Sequence, residues 1–133
     1  MTLHRILQPE GWARPRGYAN GVAARGTQVI IAGQIGWDAT QRLVSPDLVA
    51  QTEQALRNAL AVLGEAGGRA EHVVRITWYL TDLAAYRAAG PEIGRVYRGL
   101  MGAHYPAMSA VQVAGLVEPG AVVELEFTAV IPD

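Results

Sequence analysis

The side chains that could carry chemistry in this chain are few, because two of the usual nucleophiles are absent. There is no Cys, and all 11 basic residues are Arg, which excludes thiol chemistry and a Schiff base on a lysine amine. Carboxylates, tyrosines and histidines remain, and these groups do general acid–base work. Glu124 and Glu126 alternate with apolar residues in AVVELEFTAV, so they share one face of a predicted strand.

The three histidines do not predict a metal site. His4, His72 and His104 are far apart in the sequence and form neither an HxH nor an HExxH pattern. His104, in the loop before Pro106, is a candidate general base, and a surface role is the alternative for such a histidine. We therefore expect neither a metal nor another cofactor.

The stretch HYPAMSAVQV is typical of a loop that enters a strand, because Pro106 is followed by small and β-branched residues. The alternation of a strand places Met108 on the same face as Ala110 and Gln112. Met108 is thus core filler, a contact to another chain, or one wall of a binding site.

Composition and charge restrict the class of protein. The 133 residues are 50% hydrophobic and 17% charged, which predicts one globular domain over residues 1–133. The net charge of -1 and the lack of a basic run argue against a nucleic-acid partner. No targeting segment and no membrane-length apolar stretch is visible, so we expect a cytoplasmic protein with no membrane contact.

One amphipathic helix is the clearest predicted element. Ser45 is its expected N-cap, Pro46 its first residue and Asp47 part of its first turn, and Gly64 can end it. Between these residues an apolar stripe recurs at helical spacing: Leu48, Thr52, Ala55, Leu56, Ala59, Leu60 and Leu63.

A second helix is predicted from Pro91, after a helical turn that begins at Asp82. Six strands are predicted around these helices, in HRIL, YANGVAA, QVIIAG, HVVRITWYL, MSAVQV and AVVELEFTAV. The turn with Gly26 suits a tight hairpin between the second and third strands, and the apolar run QVIIAG is typical of a central strand.

Two helices cannot cover both faces of a sheet of about six strands, so we expect them on one face. The polar sets indicate the uncovered face, which would hold Arg75, Thr77 and Tyr79 together with Met108 and its neighbours. A face that is half apolar is poorly suited to open water. We therefore expect a cyclic homo-oligomer that buries it.

Several motifs in this order resemble one family. GYANGV, IAGQIGWD, the helix SPDLVAQTEQALRNALAVLGEAG, HVVRITWYLTD, YPAMSAVQV and PGAVVELEFTAV are together similar to the Rid (YjgF) family of reactive-intermediate deaminases. The resemblance implies a chorismate-mutase-like α+β fold: a mixed sheet with two helices on one face, and a homotrimer with a central barrel. It also implies a small-molecule cleft between subunits, where enamines or imines are hydrolysed.

The resemblance also implies roles for particular residues. Glu124 matches the cleft glutamate that directs the attacking water, Tyr18 matches the tyrosine of the N-terminal motif, and Gly33 and Gln34 match a glycine–glutamine pair. Tyr105 and Trp37 are loop aromatics expected near the cleft, as apolar walls or as trimer contacts.

Met108 departs from the pattern of the family. It falls where deaminating members have the arginine that pairs with the substrate carboxylate, and methionine has no donor for such a pair. Gly94 falls where they often have asparagine. Arg16 and Arg75 are candidates to replace the missing arginine, with a solvated or interface charge as the alternative for each.

The sequence therefore predicts a Rid-like trimer that binds a small organic ligand, with imine or enamine hydrolysis as its reaction. Deamination of small 2-imino acids by the usual route is doubtful with Met108 in the cleft. The alternatives are a non-catalytic binding or protein-interaction trimer and a ribonuclease or translation inhibitor, and the slightly acidic charge counts against the last.

Overall fold

The computed structural model describes residues 3–133 and has six strands and three helices. The strands are β1 (Arg5–Leu7), β2 (Gly21–Ala23), β3 (Thr27–Ile35), β4 (Val73–Leu80), β5 (Ala107–Gln112) and β6 (Val123–Ile131). The helices are α1 (Leu48–Glu65), α2 (Leu83–Ala88) and α3 (Gly90–Met101). The α+β class is confirmed, with one helix more than predicted, because the helical turn expected at Asp82 forms the separate helix α2.

The six strands divide between two sheets. A four-stranded sheet has the order β3–β6–β4–β5 and is mixed, since only the β4–β5 pair is parallel. Strands β1 and β2 form a separate antiparallel pair. Ala19, just before β2, attaches this pair to the edge of the larger sheet, because its amide donates to the carbonyl of Pro106 at 2.9 Å.

The hairpin predicted between β2 and β3 is wrong. Strand β2 pairs with β1, and Gly26 lies instead against the end of β6, where an added Cβ would collide with the carbonyl oxygen of Ile131. Its φ of +140° and this close approach explain the glycine. Strand β3 is an edge strand and not a central one, and its Ile30 is 69% exposed.

Helix α1 begins two residues later than predicted, at Leu48 and not at Pro46. Asp47 is the N-cap, and its carboxylate accepts from the amide of Ala50 at 2.9 Å. Ser45 supports this cap by accepting from the amide of Asp47. The predicted stripe is confirmed, since five of its seven residues are fully buried: Thr52, Ala55, Leu56, Ala59 and Leu63.

The core lies between the large sheet and the helices α1 and α3, which pack against each other. Alternate residues of β6 are buried against them, including Leu125 and Phe127, together with Ile76 and Leu80 of β4. The helices therefore cover one face of the sheet, as predicted, and the other face is called the open face below. Within residues 3–133, no helix is long and apolar enough to cross a membrane.

Candidate functional site

Glu124 lies on the open face, half-buried, between two buried neighbours of β6. Its carboxylate rests on Gly33 of β3, where an added Cβ would lie 2.6 Å from Oε2 and 2.7 Å from Cδ. Any side chain at position 33 would occupy the space of that carboxylate. Gly33 therefore leaves room for the carboxylate of Glu124, and these two candidate site residues lie in contact.

Glu126, two residues further along β6, accepts a hydrogen bond from Tyr79. The hydroxyl of Tyr79 donates to Oε1 of Glu126 at 2.6 Å, and this bond raises the pKa of Tyr79 because it favours the protonated phenol. No hydrogen bond or ion pair to the carboxylate of Glu124 is formed by any residue from 3 to 133. Of the two glutamates, Glu124 is thus the one whose carboxylate accepts no hydrogen bond from the described residues.

The predicted face of Met108 is wrong. In the parallel pair of β4 and β5, Met108 lies opposite Ile76, a fully buried residue of the helix-covered face. Gln112 shares that face, and its Oε1 accepts from the amide of Leu83 at 2.9 Å, at the start of α2. Polarity indicated the wrong face because this glutamine, although exposed, lies on the helix-covered side and forms a hydrogen bond with the start of α2.

A pocket of about 350 Å³ opens beside Met108, on the helix-covered side of the sheet. We call it the Met108 pocket. Tyr105 stacks on Tyr97 with ring centroids 5.3 Å apart, and Trp78 lies 5.8 Å from Tyr86. The pocket is lined by these aromatic residues and by Arg16, Gly17, Arg87, Gly90, Ile93, Gly94, Arg98 and Met108.

Tyr18 belongs to the same end of the molecule and is 42% exposed. It lines one adjoining hollow with Met108 and Arg16, and a second hollow with Tyr105 and His104. Three predicted site residues, Tyr18, Tyr105 and Met108, therefore meet at the β5 edge of the sheet.

The remaining predicted residues lie at the opposite edge, around the end of β3. Gln34 donates from Nε2 to the carbonyl of Ala32 at 3.0 Å. Trp37 follows in the loop to α1, and Asn58 of that helix holds the loop by donating to the carbonyl oxygen of Trp37 at 2.8 Å. With Gly33 and Glu124 they form a second group, on β3 and the adjacent β6, whereas the first group lies at the opposite edge strand, β5.

The histidines make structural hydrogen bonds. His104 donates from Nε2 to the carbonyl of Val73 at 2.7 Å, and its own carbonyl accepts from the hydroxyl of Tyr97 at 2.6 Å. These bonds indicate that His104 stabilises the fold, and they argue against its role as a general base. Over residues 3–133 there is no group of three or more His, Asp or Glu residues that could hold a metal ion.

The two candidate replacement arginines lie in different places. Arg16 lines the Met108 pocket, whereas Arg75 lines a separate hollow on the open face with Thr77 and Glu126. Sequence reasoning missed Arg87 and Arg98, which also line the Met108 pocket. The signal for Arg98 was its helical spacing of four residues from Gly94.

Comparison with known proteins agrees with this architecture. The family model described as Endoribonuclease L-PSP matches residues 12–131. The solved structure of YyfB, a protein of the conserved Rid family from Yersinia pestis, superposes with a TM-score of 0.86 at 33% identity, covering 97% of this chain and 99% of that one. The chain belongs to the Rid (YjgF) family.

Two relatives of this Rid-family chain show the spread of the family. Protein DfrA of Myxococcus xanthus is 39% identical over 106 residues, which cover 79% of this chain and 77% of that protein. The human 2-iminobutanoate/2-iminopropanoate deaminase is 32% identical over 103 residues, covering 77% and 72%. The recognition made from the motifs is confirmed at the level of the family.

Proposed function

We propose that the protein is a homotrimer that hydrolyses an imine or enamine in clefts between its subunits. The observation that carries this proposal is the separation of the two groups of site residues, one on β3 and the adjacent β6 and the other at the opposite edge strand, β5. Within one chain, Glu124 and the Met108 pocket cannot contact the same small ligand, because they lie on opposite faces of the sheet.

A closed ring of subunits removes this separation. In a cyclic assembly every interface joins one edge of a subunit to the other edge of its neighbour. The β3 end of one subunit, with Gly33 and Glu124, then lies beside the β5 end of the next, with Tyr18 and Met108. Each cleft would combine a carboxylate from one chain with an aromatic pocket from another.

The open face supplies an apolar surface for such an assembly. Ile30 is 69% exposed and Val111 is 43% exposed, although both belong to strands of the large sheet. Thr77, on the same face, has a buried hydroxyl with no hydrogen-bond partner among residues 3–133. Burial of exposed aliphatic side chains between subunits would contribute about 25 cal/mol per Å².

The reaction follows from the free carboxylate. Glu124 would accept a proton from a water molecule while the water oxygen adds to the imine carbon. Return of that proton to nitrogen gives a carbinolamine. Transfer of its hydroxyl proton to nitrogen and cleavage of the C–N bond then release ammonia and leave a carbonyl compound. An enamine enters the same route after protonation at carbon gives the imine. The human relative named as a 2-imino acid deaminase supports this reaction class.

A non-catalytic role in ligand binding is the second candidate, and Met108 favours it because methionine cannot form an ion pair with a substrate carboxylate. The two candidates predict different results for one pair of variants. Glu124→Gln keeps the shape of the side chain but removes the base, whereas Glu126→Gln alters only the partner of Tyr79.

The test is an assay of ammonia release from 2-imino acids formed in place by an amino-acid oxidase. We expect Glu124→Gln to lower the rate at least about a hundredfold and Glu126→Gln to change it little. Light scattering should give the mass of a trimer for all three proteins. A wild-type rate equal to the uncatalysed rate with every imine supplied would contradict the proposed hydrolysis and favour the binding protein.

A further inference from the structure

We infer that Arg98 and Arg16 bind the carboxylate of the ligand in place of the arginine that Met108 replaces, and that the ligand is a 2-imino acid with a bulky apolar side chain. This inference rests on the proposed function and names the substrate class of that site. It follows from the charges, the space and the walls of the Met108 pocket.

The pocket carries uncompensated positive charge. Arg16, Arg87 and Arg98 all line it, and no carboxylate within residues 3–133 lies in ion-pair distance of any of them. Two other arginines, Arg57 and Arg69, do have glutamate partners on the surface. Guanidinium groups gathered around a concave site without acidic partners are suited to an anionic ligand.

Gly94 leaves room for the guanidinium group of Arg98. A Cβ added to Gly94 would lie 3.2 Å from Nη1 of Arg98, one helical turn further along α3. The guanidinium group thus lies over the bare backbone of Gly94, at the wall of the pocket. A side chain at position 94 would take this space and displace the charge.

Arg16 lines the pocket from a different element of the chain. It belongs to the loop before β2, and it lines both the Met108 pocket and the adjoining hollow that contains Tyr18 and Ser109. Arg16 and Met108 therefore line both hollows together. Two guanidinium groups on different elements can hold one carboxylate between them, a geometry that the apolar Met108 leaves open.

The residues that line the pocket indicate the size and polarity of the rest of the ligand. Trp78, Tyr86, Ile93, Tyr105 and Met108 give the pocket an aromatic and apolar lining, and its volume of about 350 Å³ exceeds what a three-carbon imino acid fills. Methionine adapts its shape to a ligand surface. The pocket thus favours the imines of aromatic or branched amino acids over the imine of alanine.

Binding can be measured separately from turnover with the stable 2-oxo acids that hydrolysis would form. The probes are phenylpyruvate, pyruvate and the neutral ketone 1-phenylpropan-2-one, and the method is titration calorimetry on the full-length protein. We expect phenylpyruvate to bind at least about tenfold more tightly than either of the others, since it alone has both the carboxylate and the aromatic group.

The variants Arg98→Gln and Arg16→Gln should each weaken phenylpyruvate binding about tenfold or more. Arg95→Gln is the matched control, because Arg95 is an exposed arginine of the same helix that does not line the pocket. Circular dichroism should show an unchanged fold in all three. Phenylpyruvate that does not bind the wild type, or binds equally well to both pocket variants, would overturn the inference.

Failure of this inference and failure of the proposed function give different results. Arginine-dependent binding of phenylpyruvate without any hydrolysis of its imine would refute hydrolysis and support carboxylate binding by Arg16 and Arg98. Hydrolysis that depends on Glu124 but is insensitive to Arg16→Gln and Arg98→Gln would support the proposed function and refute carboxylate binding by these two arginines.

Discussion

Gly33 and Glu124 are in contact across the β3–β6 pair, so closely that a methyl group on Gly33 would lie 2.6 Å from the carboxylate oxygen. Gly33→Ala must therefore rotate the side chain of Glu124 away from its position. We expect imine hydrolysis to fall about tenfold or more, because a displaced base no longer aligns the water. The measurement is the turnover number of ammonia release with a saturating imine.

A double-mutant cycle tests whether Gly33 acts through Glu124. If it does, Gly33→Ala combined with Glu124→Gln should be no slower than Glu124→Gln alone. Independent, multiplied losses in the double variant would instead indicate that Gly33→Ala disturbs the sheet.

Gly94→Ala should change stability and binding in opposite directions. Alanine favours a helix interior over glycine by about 1 kcal/mol, so the free energy of unfolding should rise. The new Cβ, 3.2 Å from Nη1 of Arg98, should displace that guanidinium group and weaken phenylpyruvate binding several-fold. Gly99→Ala is the control in the same helix, since a Cβ there meets nothing within 4 Å.

The helices could be predicted from the sequence because their signals are local. The stripe around Leu56 and Leu63 repeats at helical spacing, and Asp47 and Pro91 are residues that favour helix starts. The predicted N-cap, Ser45, lies two residues before the actual one, because serine is as good an N-cap as aspartate. Only the structure shows that Asp47 accepts from the amide of Ala50.

The site could be predicted only in part, because strand pairing is not local. Period-two alternation tells which residues of a strand share a face, but it does not tell which face meets the helices. That choice was correct for Glu124, whose neighbours in β6 are apolar, and wrong for Met108. Arg98 was missed because its spacing of four residues from Gly94 indicates the pocket only when Gly94 is known to line it.

Gln51 is a buried side chain that holds three loop groups together. Its Nε2 donates to the carbonyls of Ser45 at 2.8 Å and Gly120 at 3.0 Å, and its Oε1 accepts from the amide of Val122 at 2.9 Å. Gln51→Leu would remove the partner of all three partly buried groups, at a cost of about 3 kcal/mol in the free energy of unfolding. Urea denaturation at one fixed protein concentration measures it.

Gln54→Leu is the matched control for Gln51→Leu. Gln54 lies in the same helix and makes a single side-chain hydrogen bond, to Asn58 at 2.8 Å. Its loss should cost about 1 kcal/mol or less. Equal losses in the two variants would argue against a special role for Gln51.

Acid should destabilise the protein through His72. Burial, and secondarily the charge of Arg69, lower the pKa of His72 below its ordinary value of 6.5, and its Nδ1 accepts from the amide of Arg69 at 2.9 Å. As the pH falls below about 6.5, the unfolded chain binds this proton before the folded chain does. The free energy of unfolding then declines, by at most about 1.4 kcal/mol per pH unit.

His72→Asn isolates this contribution, because asparagine retains an acceptor near the position of Nδ1 but does not titrate. We expect its stability to depend less on pH between about 5 and 6.5 than that of the wild type. Above pH 6.5 both states of His72 are neutral, so the two proteins should show parallel pH profiles. Identical slopes below pH 6.5 would assign the acid effect to other groups.

The exposed aliphatic residues of the open face predict where the subunits meet. Ile30 is 69% exposed on β3, and Val111 is 43% exposed on β5, so one lies at each edge strand of the sheet. Ile30→Glu and Val111→Glu would each bury a charge in the proposed interface, which is costly without a partner. We expect both to reduce the mass measured by light scattering from that of a trimer to that of a monomer, and to abolish hydrolysis.

Val117→Glu is the control, since Val117 is 100% exposed in the loop before β6. This substitution should leave the mass and the activity unchanged. A monomer that retains full activity would show that one chain contains the whole site, in contradiction to the separation of Glu124 from Met108 across the sheet.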